Sequence, residues 1–258
     1  MRILAALILA LLGTPQTEPK KDPVNLISLI DADLDSVVGD WSVQGGKLGS
    51  PKRSRPPRMH LLQIPYVPPE EYDLTLVIES KGPFDPKGDT TSVDFGLPWG
   101  EIRPAVVLDG WDGTVRGLSL IDGKNASENE TTGRTRIFTD GTPHTVVCSV
   151  RKAGIAVTVD GKSILDWKGE AKRLSSDWTY RDLPDKRTPF LAAWIGYVFH
   201  KIELSPVTGA GTPIAARRSK SRLVGGGGGA DFDDTPPRSA LLVGLKYSTA
   251  PWGQDSVI

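Results

Sequence analysis

Residues 140–168, DGTPHTVVCSVRKAGIAVTVDGKSILDWK, decide the architecture. His144, Val146, Cys148 and Val150 fall on one face of an extended chain, while Thr145, Val147, Ser149 and Arg151 fall on the other. That period of two is the mark of a strand buried on one side. Lys152-Ala153-Gly154 turns the chain, after which Ile155, Val157 and Val159 alternate with Ala156, Thr158 and Asp160. Asp160-Gly161 is a two-residue hairpin signal, because a type I′ turn needs positive φ at both central positions and this pair tolerates it. A third strand follows, with Ser163, Leu165 and Trp167 expected on one side. The stretch therefore predicts a three-stranded antiparallel meander.

Outward from this centre the same signals repeat. Tyr72, Leu74, Leu76, Ile78 and Ser80 oppose Asp73, Thr75, Val77 and Glu79, the clearest alternation in the chain. Further strands are expected over 59–66, 93–95, 104–108, 118–121, 190–194 and 197–204, and no segment sustains a helical period. The 28 glycines and 21 prolines punctuate the chain at the close intervals a many-stranded fold requires. With 31 basic and 31 acidic residues the net charge is zero, which gives no support to a nucleic-acid partner. Cys148 is the only cysteine, so a disulfide framework and a multi-cysteine metal site are excluded. Its place on the apolar side of a strand makes it a small buried hydrophobe rather than a nucleophile.

The DG-x-x-H-x-V…G-x-x-V-x-V-DG pattern resembles the central meander of laminin-G-like and other concanavalin A-like jelly-roll domains, with Asp140-Gly141, His144 and Asp160-Gly161 at the matching positions. Gly39 to Leu48, with Trp41, Val43 and a turn at Gly45-Gly46, resembles the first strands of the 3-keto-disaccharide hydrolase branch of that superfamily. The resemblance implies an all-β, antiparallel jelly-roll β-sandwich. It also places His144 under the Asp-Gly turn as a structural residue. Because the superfamily hosts lectins, glycosidases and adhesion modules, the fold alone does not choose among them.

The expected organisation is a signal peptide over 1–15, in which Met1-Arg2 precedes the apolar run Ile3 to Leu12. A polar spacer follows over 16–24, then the sandwich over 25–207 and a small, basic linker over 208–224. The glycine-rich tail over 225–258 is strand-forming, and its GGGGGADFDD start resembles the opening of jacalin-like β-prism domains, as if truncated. The segment 51–58, PKRSRPPR, reads as a solvated loop, because prolines forbid ladder hydrogen bonds and its charges stay hydrated. Asn125-Ala126-Ser127 and Asn129-Glu130-Thr131 match the glycosylation acceptor pattern.

Catalytic patterns are missing. Glycosidases need paired carboxylates about 5 Å apart when retaining and further apart when inverting. The acids Asp94, Glu101, Asp109 and Asp112 are separated by loops, and the 104–108 strand offers only Asp109. His60, His144 and His200 have no partner at metal spacing, and no cofactor or metal is expected. A calcium site from Asp109, Asp112 and Asp122 lacks the loop pattern such sites use. Carbohydrate binding asks for less: an aromatic face to stack on the sugar and short polar groups to reach its hydroxyls. Trp99, Asp109, Trp111 and Asp112 supply that mixture between glycines, and Trp178 with Tyr180 supplies a second set. The reading is a secreted or periplasmic module of the cell envelope that binds a carbohydrate or cell-surface glycan, or a protein partner on the same surface. A divergent glycoside hydrolase and a structural cell-envelope domain are the alternatives.

Overall fold

The computed structural model describes residues 22–52, 58–81, 91–111, 113–139 and 141–215. The expected signal peptide, all of the spacer before Asp22, the core of the basic loop, the loop over 84–89, Asp112, Asp140, the end of the linker and the whole tail lie outside these residues.

Two antiparallel sheets stack face to face as a jelly-roll β-sandwich. The larger sheet has eight strands. Its path runs Lys162–Lys168, Gly154–Val159, His144–Arg151, Tyr72–Ser80, Tyr197–Pro206, Lys47–Gly49 and Ser42–Gln44, with Val24–Asn25 added beside Leu204 and Glu203. The smaller sheet has seven: Gly133–Arg134, Val115–Leu118, Ala105–Gly110, Val93–Gly96, Phe190–Ala193, His60–Gln63 and Ser36–Val38. The only α-helix among the described residues is the single turn Ala32–Asp35, capped by Asp31, whose carboxylate accepts from Asp33 and Leu34 N–H. No helix among them is long and apolar enough to cross a membrane.

The meander forms as its alternation requires. Cys148 pairs with Leu74 on one side and Val157 on the other, and Val157 pairs with Leu165. Val146, Cys148, Val150, Ile155 and Val157 are buried between the sheets. Burial pushes the Cys148 thiol up to about 12, so it stays protonated and inert. Asp160 and Gly161 both have positive φ, as a type I′ turn demands. One Asp160 oxygen accepts from the Thr145 N–H at 2.8 Å and the other lies 2.7 Å from His144 Nδ1, so the histidine is tied to the turn. One detail departs from simple alternation. A bulge lets Thr158 pair with Ser163 and Val157 with Leu165, so Ile164 is the extra residue and Ser163 moves to the outer face. Ser163 is exposed while Leu165 and Trp167 are buried.

The smaller sheet is covered on both faces. Val93, Phe95, Val106, Leu108 and Leu191 face the main core, whereas Leu61, Ala105 and Ala192 join Tyr180, Leu183 and Phe190 in a second apolar cluster outside it. This is why Ala105–Gly110 is buried along its whole length and reads as a continuous apolar run. The chain segment between the strands Lys162–Lys168 and Phe190–Ala193 forms that outer cover. Arg103 fastens it: its guanidinium donates to the Asp185 and Thr188 carbonyls at 2.6 and 3.1 Å and lies 4.9 Å from the Phe190 ring centre. At the far end, Thr212–Pro213 pairs with Tyr66–Val67 and Ile214 N–H donates to the Pro65 carbonyl, so ordered structure runs past Pro206 into the segment expected to be a linker.

Candidate functional site

On the outer face of the smaller sheet, where the 174–188 cover leaves a gap, lies a cavity of about 210 Å³. Strand alternation builds its floor. Val93 and Phe95 point into the main core, so Ser92 and Asp94 turn to the opposite side, next to Val107 and Ser119. The wall comes from the cover: Asp177 caps the short 3-10 turn Trp178–Tyr180, accepting from the Thr179 N–H and hydroxyl, and this orients Thr179 and Tyr180 toward the floor. Trp111 and Trp194 stand at the edges.

Asp94 is 1% exposed. The Tyr180 hydroxyl donates to its Oδ2 at 2.9 Å, and its Oδ1 is buried with no hydrogen-bond partner. Burial drives its pKa up to about 7, against the pull of the Tyr180 and Ser92 hydroxyls, and Asp177 adds a smaller push in the same direction. A carboxyl group that holds its proton to near neutrality in a cavity is the one chemically poised acid of this face.

Trp111 reaches the cavity through strain. Asp109 and Trp111 both sit at φ 54°, a region that bulky side chains rarely adopt. The ring is 43% exposed. The turn that holds it is anchored by Asp109, whose two carboxylate oxygens accept from the Ile137 and Phe138 N–H groups at 2.7 and 2.8 Å. Burial raises the Asp109 pKa to about 6, with those two N–H donors opposing it.

Of the four residues singled out in the sequence, the three described ones do not converge. Trp111 borders the cavity. Trp99 is 7% exposed and packs edge-on against Trp167 at 6.0 Å within the main core. Asp109 is fully buried and spends its carboxylate on the backbone, and Asp112 lies outside the described residues. Of the second aromatic set, Tyr180 lines the cavity while Trp178 is 73% exposed beneath the Arg181 guanidinium. Asp94, Asp177 and Trp194 were not read as site residues. The usable signal was Val93-Asp94-Phe95, an acid between two core residues on a strand covered on both faces.

The remaining candidates are accounted for by packing. Asp122 and Glu130 grip Arg173, and among the described residues no three His, Cys, Asp or Glu side chains gather to hold a metal. Asn129 is 7% exposed, with its amide donating to the Leu118 and Lys124 carbonyls and its oxygen accepting from Thr131 N–H and hydroxyl. In this acceptor pattern the asparagine is a loop brace, closed to modification while folded. Asp109→Asn is expected to lower stability by about 1–3 kcal/mol, because an amide can accept at only one oxygen and one of the two N–H groups loses its partner. Urea unfolding measures this, and a cost near zero would show that the carboxylate does not hold the turn.

No protein-family model matches the chain, and no curated protein does. Among solved structures the chain is similar to the carbohydrate-binding module CBM66 from Bacillus subtilis, with TM-score 0.44, 8% identity and coverage of 66% of this chain and 93% of that one. It is also similar to a conserved carbohydrate esterase from Shiga toxin-encoding bacteriophage phi24B, with TM-score 0.47, 11% identity and coverage of 67% and 89%. The metal-free carbohydrate recognition domain of Emp46p gives TM-score 0.46, 12% identity and coverage of 70% and 94%. These are likenesses of chain path, and no residue role is carried over from them.

Proposed function

We propose that the protein is a secreted or periplasmic carbohydrate-binding module whose site is the cavity over Ser92, Asp94 and Ser119. The observation that carries the reading is Trp111, a large aromatic ring held half in solvent at a strained backbone position beside hydroxyl and carboxyl groups. Strain of this kind persists where surrounding structure enforces it and marks a place where a ring is presented rather than packed. A sugar ring can lay its C–H face on the indole while its hydroxyls reach the Thr179 and Ser92 side chains. The volume suits one ring, being smaller than the roughly 300–1,000 Å³ of drug-sized sites. The apolar run Ile3 to Leu12 behind Met1-Arg2 supports the secreted location.

Trp111→Gly tests this in two directions. Relief of the positive φ, worth about 1 kcal/mol, is offset by loss of the ring's buried face, so stability is expected to change by no more than about 2 kcal/mol, while monosaccharide binding followed by calorimetry is lost. Binding that survives the substitution would remove the cavity from the proposal. A second reading, glycoside hydrolysis, draws on Asp94 as a protonated acid with Asp177 lining the same cavity. Release of sugar from a disaccharide by the protein, abolished in Asp94→Asn, would select it.

A further inference from the structure

We propose that this cavity selects a ligand bearing a protonated amine, so that an amino sugar with an unmodified 2-amino group is bound in preference to its N-acetylated or neutral counterparts. The inference rests on the carbohydrate reading for the sugar and on the cavity's own chemistry for the amine. Its ionisable lining among the described residues is all acidic, the carboxyl groups Asp94 and Asp177, with no lysine or arginine beside them. Two neighbouring guanidinium groups are directed elsewhere. The Arg103 guanidinium is spent on the Asp185 and Thr188 carbonyls, and that of Arg181 sits 3.4 Å over the Trp178 ring.

Three aromatic rings, Trp111, Trp194 and Tyr180, complete the enclosure. Carboxylates together with indole faces form an environment suited to an organic cation, since the ring quadrupole and the negative charge both favour it and partial exclusion of water strengthens each. A uronic or sulfated sugar would meet repulsion from Asp177 and, wherever it is ionised, from Asp94, whereas a cation next to Asp94 favours that ionisation. A neutral sugar would satisfy hydroxyl contacts but would leave the charge complementarity unused.

Asp94 supplies the independent pointer. Its Oδ2 already accepts from Tyr180, and its Oδ1 is buried with no hydrogen bond of good geometry at a position lining the cavity, the Ser92 hydroxyl beside the carboxyl being the other donor that favours its charge. A buried acceptor left without a donor is costly, and an ammonium brings three donors and a positive charge to it. Asp177 spends one oxygen on the Thr179 N–H and hydroxyl, and its other oxygen makes no hydrogen bond among the described residues.

Isothermal titration calorimetry of the full chain with glucosamine, N-acetylglucosamine, glucose and ethylammonium chloride tests the inference. Glucosamine is expected to bind about tenfold or more tightly than either of the other sugars. That preference is expected to fall below about threefold in Asp94→Asn and in Asp177→Asn, each checked by its circular dichroism. Asp177→Asn lies in the outer cover and keeps the test open if Asp94→Asn fails to fold. Neutral sugars bound as tightly as glucosamine would overturn the amine inference and leave carbohydrate binding standing. Ethylammonium bound with no sugar bound would do the reverse. A glucosamine preference unchanged in both variants, or no binding by any of the four, overturns the inference.

Discussion

Asp94→Asn is expected to change the pH dependence of stability between pH 4 and pH 8 more than the same substitution at any other described aspartate. The carboxyl has a pKa of about 7 when folded against 3.8 as its ordinary value, because burial disfavours its charge. A raised folded value means that the native state binds the proton more tightly than the unfolded chain does. This group's stabilising contribution is complete below pH 3.8, declines as pH rises, and is gone once pH passes 7. Asparagine cannot titrate, and its side-chain oxygen can still accept from Tyr180. Between pH 4 and pH 8 the variant should therefore gain on the wild type by about 4 kcal/mol, three pKa units at 1.36 kcal/mol each. Urea unfolding at pH 4, 5, 6, 7 and 8 measures the difference directly. The carboxylates whose pKa values are lowered on the surface, Asp122 and Asp160 among them, are common to both proteins and cancel. A difference that stays flat with pH would mean that Asp94 is not desolvated as its burial indicates. Such an acid is retained at a cost at neutral pH, which is what a site kept for a ligand rather than for stability would show.

The second large effect lies in the meander itself. A Cβ at Gly154 would stand 2.0 Å from the Trp167 carbonyl oxygen and 2.9 Å from its carbon, both backbone atoms of the paired strand. No rotamer change relieves that overlap, so Gly154→Ala should cost about 3 kcal/mol or more, or prevent folding altogether. Gly161, in the same stretch, is the control. It has φ +78° with nothing within 4 Å of an added Cβ, so Gly161→Ala should cost about 1 kcal/mol from backbone strain alone. Gly154 itself has φ +157°, so part of its loss is conformational, and the excess over Gly161→Ala in thermal or urea unfolding reads the close approach. Equal losses would remove the close-approach argument for Gly154.

The scaffold was legible because it is local. Tyr72–Ser80 alternates strictly, and its burial alternates with it. The Asp160-Gly161 turn and the Gly45-Gly46 turn were each written in two residues, and all four residues take the positive φ their turns need. The bulge at Ile164 was not legible, since it depends on how Thr158 and Ser163 are drawn into register across the hairpin. The site was harder still. Trp99 and Trp111 look alike in sequence, each beside glycine and acid, yet one packs on Trp167 and the other is turned outward by a strained loop. Asp109 and Asp94 both lie on buried strands, and what separates them is the identity of their donors: two backbone N–H groups for one, a tyrosine 86 residues away for the other. Such long-range pairing leaves no periodic trace. The segment 171–187 shows the same limit. Its charges mark it as a loop, but Tyr180 and Leu183 make it the lid of a second apolar cluster.

That lid is one uninterrupted piece of chain between two strands, held down by Arg103 from below. It contributes Asp177, Thr179 and Tyr180 to the cavity, while the sheet beneath contributes mainly floor. The cavity is thus assembled from two separate stretches of sequence, the sheet with its loops and the lid. Under the carbohydrate reading, a laboratory library confined to the exposed and cavity-lining positions of this lid, with Leu174, Tyr180 and Leu183 kept for their packing, could vary one wall of the cavity while the sheet floor stays in place.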